Sequence, residues 1–158
     1  MRNLKVLGLS LICTCVCAIA SAQTKVPLNE PDLNKPKLFA NLPDQIPVDI
    51  ADLKKLFVNT TEAGKDAALP FADKKSGSFD GKVISSGSKY NNTIRSLIIR
   101  STNFSGATLT LSSSIQPDGT VNYIGRIISF QHGDAFELEK KNDQYILVKK
   151  NFYDLVNE

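Results

Sequence analysis

Few residues in this chain are equipped for chemistry. Its 158 residues include one histidine and three cysteines. The histidine, His132, stands in Gln131-His132-Gly133-Asp134, where it could act as a general base or a metal ligand with Asp134 beside it. A tetrahedral metal site needs three or four ligands, and one histidine without thiolates falls short unless several carboxylates join it. The same four residues also make a tight turn, with Gly133 supplying a positive φ and Asp134 bonding to nearby backbone. The turn is the preferred reading. A Ser-His triad would have to use His132, yet no Gly-x-Ser-x-Gly elbow singles out a serine.

Charge offers a second possibility. Arg95, Arg100 and Arg126 fall on expected strands with Tyr123 nearby, and with His132 they form the candidate binding surface. Basic, aromatic sheet faces bind single-stranded nucleic acid in some folds. Here Arg95 and Arg100 are an odd number of residues apart and must point to opposite faces of a regular strand, which splits the patch. Nucleic acid is therefore not an expected partner. Glu137 and Glu139 share a strand face roughly 7 Å apart, a separation glycosidases use. Lys140, Lys141 and Lys149 nearby favour a solvated face with cross-strand ion pairs. The spots Ser76-Gly77-Ser78 and Ser86-Gly87-Ser88 lack the Lys-Ser/Thr that completes a phosphate loop. Pro117-Asp118-Gly119 lacks the spaced ligands of a calcium loop and reads as a hairpin turn. Asn59, Asn91 and Asn103 begin glycosylation sequons. No cofactor and no metal are expected.

These residues must be carried by strands. Between 79 and 150, segments rich in β-branched and aromatic residues alternate with short turns. The strands are expected at about 79–86, 94–101, 107–114, 120–130, 134–140 and 145–150. None of the links between them is long enough for a parallel crossover, so consecutive strands must be antiparallel neighbours. Val121, Tyr123 and Ile127 lie on one face of the fourth of these strands, and Ile124, Ile128 and Phe130 on the other. That pattern predicts a strand in the middle of a sheet that is covered twice, or in a curled sheet. Gly81 and Gly125 suggest bulges or sharp bends that would help the sheet curl.

Upstream, residues 49–57 carry Ile50, Leu53, Leu56 and Phe57 at helical spacing behind Asp49, a capping residue type. So short a helix must pack on the sheet. Residues 67–72 allow a short strand that Pro70 confines to an edge. Residues 23–47 hold five of the seven prolines and read as an extended tether, with Leu38, Phe39, Leu42 and Ile46 able to dock. The fold expected is thus mainly β: a single antiparallel meander of about six strands, as a curved sheet or partly open barrel, with one short N-terminal helix packed on it. The domain spans 48–158, and the apolar residues of 152–156 dock on it.

Residues 1–22 read as a leader: Arg2 and Lys5, then an apolar run, then Ala20-Ser21-Ala22, with cleavage expected between Ala22 and Gln23. Cys13, Cys15 and Cys17 all lie within it. The remaining 136 residues have no cysteine, and their 17 basic and 16 acidic residues leave a net charge of +1. No membrane span is expected after cleavage. The expected place is the bacterial periplasm or the medium. The scarcity of catalytic residue types favours a non-catalytic binding module using a sheet face or edge, with an envelope or secreted protein as its partner. The alternatives are a carrier holding a lipid-like ligand inside the curled sheet, and a hydrolase or metal site at His132 and Asp134.

Overall fold

The computed structural model describes residues 32–59, 62–73 and 76–156. The expected leader, its cleavage site at Ala22 and Gln23, the first part of the tether and most of the Asn59 sequon lie outside them. Among the described residues the architecture is mainly β: eight antiparallel strands in one curled half-barrel sheet, with two short helices.

In chain order the elements are β1 (Gln45–Val48), α1 (Ile50–Asn59), β2 (Asp66–Pro70), β3 (Ser78–Lys89), β4 (Ile94–Ser101), β5 (Thr108–Ile115), β6 (Val121–Ile128), β7 (Asp134–Lys141), β8 (Gln144–Asn151) and α2 (Phe152–Val156). The sheet order is β1-β8-β7-β6-β5-β4-β3-β2. The meander from β3 to β8 matches the six expected strands. The two additional strands are its edges: β1, from the end of the expected tether, pairs with β8, and β2 pairs with β3.

Both edges carry a proline, and register explains why each is tolerated. Val83 N–H donates to the Lys65 carbonyl and Phe71 N–H to the Gly77 carbonyl. In an antiparallel ladder this turns the odd-numbered residues of β2 toward β3 and leaves Asp66, Ala68 and Pro70 facing out. On β1, Lys149 N–H donates to the Asp44 carbonyl, so Pro47 also faces out. Each proline thus lacks its donor where no strand asks for one. Just past β2, Ala72 N–H donates to the Pro47 carbonyl of β1 at 3.0 Å.

The concave face holds the core. Ile46, Leu147, Phe136, Ile127, Leu109, Leu111, Leu97, Ile99, Val83 and Leu69 are all buried there, and α1 adds Leu53, Leu56 and Phe57. Gly125 permits close packing beneath β6: a Cβ at that position would stand 2.9 Å from both the Leu111 Cδ1 and the Thr110 carbonyl.

Of the two settings expected for β6, the curled sheet is the one found: α1 lies inside the curve, and Ile124 is left 61% exposed outside it. Two features depart from expectation. β6 pairs with β7 only from Gly125 to Ile127. Beyond that point the strands separate, and the Tyr145 hydroxyl accepts the Tyr123 N–H at 3.0 Å in place of a strand partner. Finally, the docking C-terminal residues form a second helix, α2, whose Phe152 and Leu155 are buried.

Candidate binding site

The end of the half-barrel nearest the β4–β5 connection is filled and internally bonded. Phe39 reaches in from the segment before β1 and packs on Phe104 and Phe136, with ring centroids 5.4 and 5.1 Å away. Asp134, 3% exposed, holds that segment: its Oδ1 accepts Leu38 N–H at 2.7 Å and its Oδ2 accepts Phe39 N–H at 2.8 Å. Gly133 N–H donates to the Pro36 carbonyl at 3.0 Å. His132 Nδ1 lies 2.8 Å from Ser129 Oγ, and Ser129 is fully buried. A serine with no exposure offers no nucleophile to a substrate, so this pair acts as a turn lock. The Asn103 side chain is likewise engaged, with Nδ2 donating to the Ser78 carbonyl at 2.8 Å.

The opposite end is polar and open. Register places Ser88 across from Arg95, Arg95 across from Ser113, and Ser113 across from Tyr123. Residues directly opposite share a sheet face, so these four form a polar row at the mouth of the concave side, beyond the apolar row of Leu97 and Leu111. The C-terminal part of α1 lies against this row. Arg95 Nη2 donates to the Phe57 carbonyl, satisfying one of the acceptors a helix end leaves open. The Arg95 guanidinium also lies over the Phe57 ring, 5.4 Å from its centroid, and the Tyr123 ring is 6.0 Å from that of Phe57. Burial raises the Tyr123 phenol above its ordinary pKa, Tyr145 adds to the rise, and the Arg95 charge opposes it.

A cavity of about 370 Å³ opens beside Arg95, lined chiefly by Phe57, Ser86, Ser88, Asn92 and Ser96. Among the described residues its lining contains no Asp, Glu, His, Cys or Lys. Those residues offer one fixed positive charge with hydroxyl and amide groups beside it. The β3–β4 connection beside it is strained: Tyr90, Asn91 and Asn92 have φ of 52°, 52° and 67°. Asn tolerates the left-handed region, whereas Tyr does so at a cost of roughly 1–2 kcal/mol. Backbone strain of this kind gathers at functional sites.

Of the residues singled out from the sequence, Arg95 and Tyr123 come together at this mouth. The other three lie elsewhere. Arg100 is across from Thr108, on the convex face toward the filled end, as its odd spacing from Arg95 requires. Arg126 is on the convex side of β6, 3.7 Å from Glu137 and donating to the Leu155 carbonyl. His132 lies in the turn described above. Glu139 pairs with Lys150 and Lys141 at 2.8 and 3.1 Å, and both lysines hold its pKa below the usual glutamate range. Among the described residues no three His, Cys, Asp or Glu side chains converge as a metal site would require, and no helix is long and apolar enough to cross a membrane.

Sequence reading missed Phe57, Ser86, Ser88, Asn92 and Ser96 as site residues. Ser88 and Arg95 are held together by the register of β3 on β4, which contains a bulge between Val83 and Ser85. That bulge could not be placed from the sequence. No family model matches the chain, and neither a curated protein nor a solved structure shows similarity to it.

Proposed function

We propose that this protein is a non-catalytic binding module, exported to the periplasm or medium, whose recognition site is the polar mouth rather than an edge of the sheet. One observation carries this reading: Arg95 stands at a cavity whose wall, among the described residues, has no carboxylate to neutralise it. Guanidinium presents five donors in a planar fork suited to oxyanions, and one of them goes to the Phe57 carbonyl. The ligand is accordingly a molecule, or a protruding group of an envelope or secreted partner, that carries an anion.

Two features argue against the other binding modes. Pro47 and Pro70 face outward on the two edge strands, which weakens the case for adding a partner strand there. Aromatic and aliphatic side chains fill the concave face, which leaves a lipid-like ligand little room. The test is to titrate acetate, sulfate and phosphate into the isotopically labelled protein and follow backbone amide and Arg Nε–H resonances by NMR. Saturable shifts centred on Ser88, Asn92 and Arg95, lost in Arg95→Gln, are expected. If none of these anions shifts the mouth resonances saturably, the reading is wrong.

A further inference from the structure

We infer that the mouth takes a polyhydroxylated monocarboxylate, that is, a sugar acid of the uronic type. This rests on the binding reading above and narrows it to a ligand class.

Three observations select the class. The first is the amount and placement of charge. A phosphate site gathers several donors of positive character, often at a helix N-terminus. Here the neighbouring helix end is the C-terminal end of α1, whose Phe57 carbonyl faces Arg95. The negative end of the helix dipole opposes a second negative charge on the ligand. One guanidinium against one carboxylate is the balanced pairing, and the fork can engage both carboxylate oxygens.

The second observation is the wall. Ser88 supplies a hydroxyl and Asn92 an amide, and each such group both donates and accepts. Ligand hydroxyls need partners of that dual kind. A purely apolar carboxylate would leave these groups facing hydrocarbon, at a cost in unmade hydrogen bonds. Phe57 and Leu97 also line the cavity and offer apolar surface to the C–H face of a sugar ring.

The third observation is size and access. A cavity of about 370 Å³ falls at the small end of the roughly 300–1,000 Å³ of small-ligand sites, suiting one monosaccharide unit. The strained turn at Tyr90, Asn91 and Asn92 fixes the Asn92 backbone at the rim, and Tyr90 beside it is 75% exposed.

The same chemistry occurs in a free sugar acid and in an acidic unit of a polysaccharide, so both are tested. Calorimetric titration of the exported protein would use glucuronate, oligogalacturonate, glucose, acetate and inorganic phosphate. Glucuronate is expected to bind at least about tenfold more tightly than either glucose or acetate, which lack the carboxylate and the hydroxyls respectively. Tighter binding of oligogalacturonate than of glucuronate would assign the site to polymer, and the reverse to free sugar acid. Arg95→Gln is expected to abolish the preference over glucose. Asn92→Ala and Ser88→Ala are expected to erode the preference over acetate. Because Arg95 also caps α1, Arg95→Lys serves as a control that keeps the charge but not the fork, and its affinity should lie between the two. If acetate or phosphate binds as tightly as the sugar acids, the class is wrong and the binding reading survives. If none of the five binds, both fall.

Discussion

At the end of the half-barrel where Asp134 lies, a charged group is spent on the chain itself; at the end where Arg95 lies, a charged group is only partly spent. Asp134 is buried, and each of its oxygens accepts a backbone N–H from the segment before β1. Around it, Phe39, Phe104 and Phe136 fill the space. Arg95 meets one helix carbonyl and one aromatic face, and the remaining space beside it is a polar cavity. The two ends thus divide two tasks. A buried charge with its partners supplied internally holds distant segments together, whereas a charge at an open mouth keeps donors to spare, which is the basis of the ligand site proposed above. A buried charge left without partners would be too costly to keep.

The largest test of this contrast is Asp134→Ala. It leaves the Leu38 and Phe39 N–H groups without acceptors in a buried site, and should cost roughly 3 kcal/mol in urea unfolding. Unchanged stability would mean that the segment before β1 does not depend on this clamp.

Smaller, and opposite in sign, is the effect of relieving strain at the mouth. Tyr90→Gly removes a side chain from a left-handed conformation and should raise stability by up to about 1 kcal/mol, net of the freedom glycine gains when unfolded. Affinity for ligand should fall if the strained turn positions the rim. A loss of stability would show that Tyr90 contributes packing that outweighs its strain.

The smallest effect is expected from a partly exposed charge of the same kind as Asp134. Glu139 bonds to Lys150 and Lys141 in partly exposed pairs, and such pairs contribute about 0.2–1 kcal/mol. Its folded pKa lies below the ordinary 4.5, so its stabilisation is present above that pH and is lost as pH falls through the lower folded value. Glu139→Gln should therefore be slightly less stable than the parent at pH 7, with the difference vanishing under acid. A deficit as large as that of Asp134→Ala would erase the distinction between buried and exposed carboxylates.

What was legible in the sequence was set by local chemistry. Alternation and short links place β3 to β8 as antiparallel neighbours, since no link is long enough for anything else. The spacing of Ile50, Leu53, Leu56 and Phe57 marks α1; the last three are buried, and Ile50, at its first turn, is exposed. The odd spacing of Arg95 and Arg100 separates them onto two faces, as the ladder requires. Pro70 at an edge follows from its missing donor.

What only the tertiary structure decided depends on contacts far apart in the chain. The apolar residues on both faces of β6 do not reveal which face α1 will cover; the sheet curls around the helix, and Ile124 is left outside. The end of the Pro-rich segment becomes β1 because β8 offers it a ladder, an energy no local pattern records. The mouth is the clearest case. Arg95 meets Ser88 through strand register, a bulge in β3 shifts that register, and Phe57 arrives from 38 residues upstream. Residue types and spacing determined β3 to β8 and their order, because those follow from neighbours along the chain. The site follows from which surfaces the curl of the sheet brings face to face, and that is settled only when the whole sheet closes around α1.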